Sequence, residues 1–228
     1  AGLPGSEFDA LTALHVWREN RHGADYRLIY AHGLEASLAL EDAHDALGRR
    51  FRFRWDGGPS FRWQSPSACL GREWSCVYSE VLTQSEEDLE PIVRRIVAGF
   101  EAQSWTTTDA ARWLLAFVQQ IPYRLPTEHA FGLLPPALVA SEDWGDCDSK
   151  SLLLIYLLER VGIEAILLTS EAHAHALVGI GVPTGASGAY PYRGREYAWA
   201  ETTTVEAPLG WIHPSMRLPN DWRVVPVR

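Results

Sequence analysis

The sequence predicts an α+β fold, and three observations carry that prediction. The stretch RRFRFRWDGGPSFRWQ alternates large apolar and polar residues on either side of a glycine turn, as paired strands do. Residues 85–120 place apolar side chains at helical spacing. From Gly145 a nearly all-apolar segment runs to Gly162, and short β-rich runs follow it. With 228 residues, 46% of them hydrophobic, the chain is long enough for one sizeable core or a core with a smaller elaboration.

Residues 1–8, AGLPGSEF, read as a processed or tag-derived end and stand outside the fold reasoning. An upstream signal peptide or anchor is compatible with that reading. Residues 9–84 read as a β-rich portion. Phe51, Phe53 and Trp55 lead into Asp56-Gly57-Gly58, and Phe61 and Trp63 lead out of it. CVYSEVLT, from Cys76, reads as a further strand. LEASLALEDAHDALGRR fits a helix or a strand equally well.

At Ser85 the pattern changes, and residues 85–228 read as the main core. SEEDLEPIVRRIVAGFEAQ begins with a serine cap and early acids, then sets Leu89, Ile92, Val93, Ile96, Val97 and Phe100 on one face. TTDAARWLLAFVQQ makes a second helix that stops before Ile121-Pro122. Residues 123–144 read as a long loop rich in Pro and Gly, of the length that often carries function. GDCDSKSLLLIYLLERVG then reads as a helix apolar on nearly all sides, hence central. EAILLTS is a buried strand. AHALVGIGV and EYAWAETTT are two strands of a hairpin with a long loop between them.

Composition narrows the function classes. A formal charge of −9 excludes a basic face for nucleic acid, and the alternating arginines of RRFRFRW fit the outer face of a strand. No apolar run is long enough for a membrane-spanning helix. Ten tryptophans predict large buried aromatic contacts. Cys69 and Cys76 flank a glycine in CLGREWSC and are spaced to close a disulfide across a hairpin. That pairing points outside the cytoplasm, to a secreted, periplasmic or anchored protein.

The third cysteine, Cys147, heads the central helix. Free N–H groups and the dipole at a helix start favour an anion, so a thiolate there is expected below the ordinary thiol pKa. A thiol nucleophile needs a base and a group that orients the base. His175 opens one downstream strand and Glu201 ends another. Asp146 and Asp148 flank the cysteine and oppose a thiolate, so they read as capping groups turned away from the sulfur. Lys150 reads as a surface ion-pair partner for them. Thr202 and Thr203 read as strand formers whose hydroxyls satisfy local backbone. Trp144, His173, Gln119 and Tyr123 are candidates for the walls of a substrate cleft. His173 and His175 share a strand face, so Cys147, His173, His175 and Glu201 are also weighed as zinc ligands. Without a C-x-x-C or HExxH pattern, the expectation is no metal and no cofactor.

The motifs occur in an order that resembles a family. FVQQIPY at Phe117–Tyr123, GDCDSKS at Gly145–Ser151, HALVG at His175–Gly179, YAWAETT at Tyr197–Thr203 and PLGW at Pro208–Trp211 look like a bacterial and archaeal branch of the transglutaminase-like superfamily. The likeness covers residues 85–215. It implies a papain-like core with the cysteine helix packed on an antiparallel sheet. It also implies Cys147 as nucleophile, His175 as base and acid, and Glu201 as orienting carboxylate, where many relatives carry Asp. Asp146-Cys147-Asp148 departs from the Gln-Cys-Trp of protein-crosslinking transglutaminases. The implied activity is thiol-dependent acyl transfer on amide or peptide bonds, by hydrolysis or transamidation, with a peptide or protein as substrate. The alternative is a catalytically silent module that binds a peptide or protein on the same fold.

Overall fold

A computed structural model describes residues 15–18, 25–29, 50–54, 74–102, 104–127, 132–142, 144–183 and 188–227. Strands β1 (His15–Arg18), β2 (Asp25–Ile29) and β3 (Arg50–Arg54) form an antiparallel sheet in that order. The expected strand is thus present over Arg50–Arg54, but it pairs with β2, with Phe51 opposite Leu28. The return arm of the predicted glycine hairpin and the ambiguous LEASLALEDAHDALGRR stretch lie outside the described residues.

The rest is mixed helix and antiparallel sheet. Helix α1 spans Trp74–Ala102, α2 Thr107–Gln120, α3 Pro136–Glu142 and α4 Cys147–Arg160. Strands β4 (Ala165–Ser170), β5 (His175–Ile180), β6 (Ala189–Tyr192), β7 (Arg195–Ala200) and β8 (Arg223–Val225) make a second sheet in the order β6-β7-β5-β4-β8.

Four readings of the sequence are corrected here. CVYSEVLT is the start of α1, not a strand. Val77, Tyr78, Val81, Leu82 and Leu89 are all buried, and their spacing is helical once Leu89 is read with them. Ser85 is therefore not a cap. It lies buried mid-helix, where its hydroxyl donates to the Val81 carbonyl (2.9 Å) and accepts from the Ala137 N–H (3.3 Å). That second bond satisfies an otherwise orphan donor at the start of α3. Helix α3 itself occupies part of the stretch read as loop. Finally, the segment between the two predicted hairpin strands contains β6, which pairs with β7 around Arg193-Gly194.

Local chemistry explains the element ends. Thr106 and Asp109 form a reciprocal capping box at the start of α2, worth about 1 kcal/mol. Gly162, with φ at +75°, takes the left-handed conformation that ends α4. Phe100, Trp105, Trp113 and Phe117 stack where α1 meets α2, with Trp113 and Phe117 parallel at 5.7 Å. Burying each of these large side chains contributes roughly 1.5–3 kcal/mol.

The second sheet is covered on both faces. Leu167, Ala176, Val178, Ile180, Ala198 and Ala200 face the helices and join their core. Their alternates Leu168, Leu177 and Trp199 pack on the far side with Tyr190, Ile212 and Trp222. Gly179 lies on that far face, where a Cβ would come within 2.8 Å of the Ile166 side chain, so the position takes glycine. The last strand, β8, pairs with β4 and delivers Trp222 to this second cluster.

Candidate functional site

The site is built where two neighbouring strands part. β5 and β7 pair from Val178–Ala200 to Ile180–Ala198, and no further toward His175 and Glu201. The N-terminus of α4 lies at that opening. Asp146 caps the helix, its carboxylate accepting from the Ser149 N–H at 3.0 Å. The sulfur of Cys147 comes next, near enough to the Ala176 N–H for that amide to favour the charged form.

His175 and Glu201 bridge the same opening. His175 Nε2 lies 2.8 Å from Glu201 Oε2, with the side chains 14% and 4% exposed. The other oxygen of Glu201 accepts from the Thr203 N–H (2.9 Å) and hydroxyl (2.6 Å). Burial alone would raise the Glu201 pKa, but the bond to and charge of His175 and the Thr203 donors outweigh it and hold the carboxyl below its ordinary range. An ionised carboxylate only accepts hydrogen bonds, so Nε2 carries the ring proton. Nδ1 is then the basic nitrogen, and it makes no hydrogen bond among the described residues. Trp222 meets the His175 ring edge-on at 6.2 Å.

The sulfur itself points elsewhere. Cys147 Sγ donates to Asp148 Oδ1 at 3.2 Å, and no hydrogen bond joins it to the His175 ring. Asp148 is therefore not turned away from the sulfur, as expected, but holds it. Tyr78, reaching in from α1, donates to the second oxygen of Asp148 at 2.5 Å. Burial pushes the thiol well above its usual pKa, and Asp148 and then Asp146 add to this; the Ala176 N–H works the other way. The expected lowering at a helix start is thus overturned in this arrangement. Two nearby carboxylates and a dry site outweigh the helix dipole, which favours an anion only modestly.

The remaining candidates fall into two groups. Tyr123 is half exposed and runs alongside Gly145, with Gly145 N–H to Pro122 O (3.1 Å) and Arg124 N–H to Gly145 O (3.0 Å) joining the two segments. Trp144 is half buried beneath the Arg124 guanidinium, 4.6 Å from its ring centroid. Both flank the turn into α4. Gln119 and His173 are engaged in other bonds. Gln119 is buried, and its amide donates to the carbonyls of Glu201 (2.8 Å) and Ala207 (2.9 Å), which fixes the chain carrying Glu201. His173 pairs with Asp221 at 3.2 Å and lies tilted against Trp222, with ring centroids 5.9 Å apart. The ligand-type atoms that gather within 4.8 Å among the described residues are those of Asp146, Cys147 and Asp148, not the Cys147, His173, His175, Glu201 set.

Lys150 and the two threonines also differ from expectation. Lys150 is almost wholly buried and donates to the Ile121 carbonyl at 2.7 Å, tying the end of α2 to α4. The Thr203 hydroxyl serves the Glu201 carboxylate, and that of Thr202 meets Ser151 at 3.4 Å. Cys76 lies in the first turn of α1 and is disulfide-bonded, so it is not on a hairpin strand. Cys69, its predicted partner, lies outside the described residues. Tyr78, Asp148 and Trp222 were missed as site residues. Only Asp148 carried a sequence signal, its place beside the cysteine.

No protein-family profile, curated protein or solved structure matches this chain. Among the described residues no helix is long and apolar enough to cross a membrane.

Proposed function

We propose that the protein is a thiol-dependent acyl-transfer enzyme acting on amide or peptide bonds, built on a papain-like, transglutaminase-like core. The observation that carries this reading is the buried His175–Glu201 pair. It leaves Nδ1 unbonded among the described residues, on the residue before Ala176, whose backbone N–H acts on the sulfur of the cysteine at the helix start. Rotation about the Cys147 Cα–Cβ bond takes the thiol from Asp148 toward His175. Nδ1 accepts the thiol proton, and Glu201 stabilises the imidazolium that results. The thiolate attacks the amide carbon. Backbone N–H groups at the start of α4 hold the developing oxyanion. The imidazolium then protonates the leaving amine, which departs and leaves a thioester. Water or a second amine resolves the thioester, giving hydrolysis or transamidation.

A specific observation favours the second reading, a silent peptide- or protein-binding module: the sulfur hydrogen-bonds to Asp148 and not to the imidazole. One experiment separates the two. The purified protein is incubated with a peptide and amide library, with and without a primary amine, and products are read by mass spectrometry. Turnover that disappears in Cys147→Ala supports the enzyme. Absence of any turnover by the wild-type protein overturns it and leaves the binding module.

A further inference from the structure

The Cys147 sulfur, the Asp148 carboxylate and the Tyr78 hydroxyl form one continuous hydrogen-bonded row. Tyr78 is 3% exposed and Cys147 9%, while Asp148 is half buried. Asp148 uses one oxygen for each neighbour, so its plane is fixed from both sides. Burial first, then the charge of and bond to Asp148, drive the Tyr78 pKa far up, and the phenol stays a donor across the working pH range. The charged and titratable groups that act on the sulfur are Asp148 and Asp146 from the head of α4, with Tyr78 from α1 and Tyr123 from the segment beside Gly145 within reach of its charge; His175 is the residue before Ala176 on β5. Only His175 among them takes up a proton to become a cation.

We infer that Asp148, oriented by Tyr78, is a positioning residue that parks the Cys147 thiol in a protonated, low-reactivity state away from His175. The inference rests on the reading of Cys147 as nucleophile with His175 as its base. The parked thiol keeps its proton, because the ionised carboxylate accepts a hydrogen bond from it. Release is a side-chain rotation. The S–H bond then meets Nδ1, the proton moves from sulfur to nitrogen, and the thiolate–imidazolium pair forms with no other reactant. Substrate entering the site displaces the thiol from Asp148, so the free protein resists stray electrophiles that a standing thiolate would not.

The test is the rate of iodoacetamide alkylation at Cys147 from pH 5 to 10, read site by site by peptide mass spectrometry. Wild type, Asp148→Asn, Tyr78→Phe, His175→Ala and Asp148→Asn/His175→Ala are compared below their melting temperatures. Asp148→Asn is expected to react at least about tenfold faster at pH 7. Its pH midpoint is expected to fall by about one unit or more, because one pKa unit is a tenfold change in thiolate. Tyr78→Phe removes a single hydroxyl and frees Asp148 to turn to solvent; the same shift, smaller, is expected. The gain in Asp148→Asn is expected to vanish in the double variant, because the released thiol needs the imidazole. If Asp148→Asn and Tyr78→Phe match wild type while His175→Ala is slower, the parking role is overturned and the Cys147–His175 reading stands. A gain that survives intact without His175 also overturns it, since the carboxylate then acts on the thiol alone. If all variants match wild type, both readings fall together.

Discussion

Two histidines two residues apart, His173 and His175, each offer Nε2 to a carboxylate, and each lies against Trp222. Their surroundings differ. The His175 carboxylate is 4% exposed and receives two further donors from Thr203. The His173 carboxylate, Asp221, is 30% exposed, ends a short 3-10 turn, and lies 3.2 Å from the ring rather than 2.8 Å. The lesson is that a histidine–carboxylate bond alone does not define a charge-stabilising pair. Burial and extra donors make Glu201 a fixed anion, whereas water screens Asp221. The contrast assigns the base role in the proposed reaction to His175 and a structural role to His173.

The sharpest way to break this comparison is to remove each ring in turn. His175→Ala is expected to lower turnover by about 10³-fold or more, since loss of the base stops proton transfer to and from the reacting groups. His173→Ala is expected to stay within about tenfold. Initial rates on the same peptide measure both, and similar losses in the two variants would erase the distinction.

Glu201→Gln sharpens the same contrast through pH. The folded pKa of Glu201 is depressed below its ordinary 4.5. The stability it contributes is therefore present in full above the unfolded value and is lost as pH falls through the folded value. Urea titrations of wild type and Glu201→Gln are expected to differ most above about pH 5 and to converge in acid. Turnover by Glu201→Gln is expected to drop by about 10²-fold or more, because the imidazolium loses its partner.

The smallest expected effect lies between the two histidines. Ala174 has φ of 45°, in the left-handed region that costs a non-glycine residue roughly 1 kcal/mol. It closes the turn that carries the chain from His173 into β5 at His175. Ala174→Gly is expected to raise stability by about 0.5–1 kcal/mol at an unchanged urea m-value, with turnover within about twofold. A loss of stability would show that the methyl group packs usefully in the turn.

Much of the fold was legible because its signals are local. The extent of α2 up to Ile121-Pro122, the all-apolar body of α4 and the β-rich runs at Ala165–Ser170, His175–Ile180 and Arg195–Ala200 are each written within a few residues. The start of α1 was misread because SEED mimics a cap, while the hydroxyl of Ser85 serves a helix that arrives from elsewhere. β8 was not identified, since three residues carry too little period to be seen. Asp146 as helix cap followed from its place before the cysteine.

By itself the sequence determined the candidate side chains and the elements on which they sit: a thiol at a helix start, an imidazole opening one strand, a carboxylate just past another. Tertiary structure alone decided their orientation. It parted β5 from β7, brought Ala176 to the sulfur, set His175 on Glu201, and brought Tyr78 from α1 to hold Asp148 against the sulfur. The physical reason is range. Capping and periodicity act over a few residues along the chain, whereas burial, charge pairing and hydrogen bonding to a distant partner depend on what the fold packs alongside.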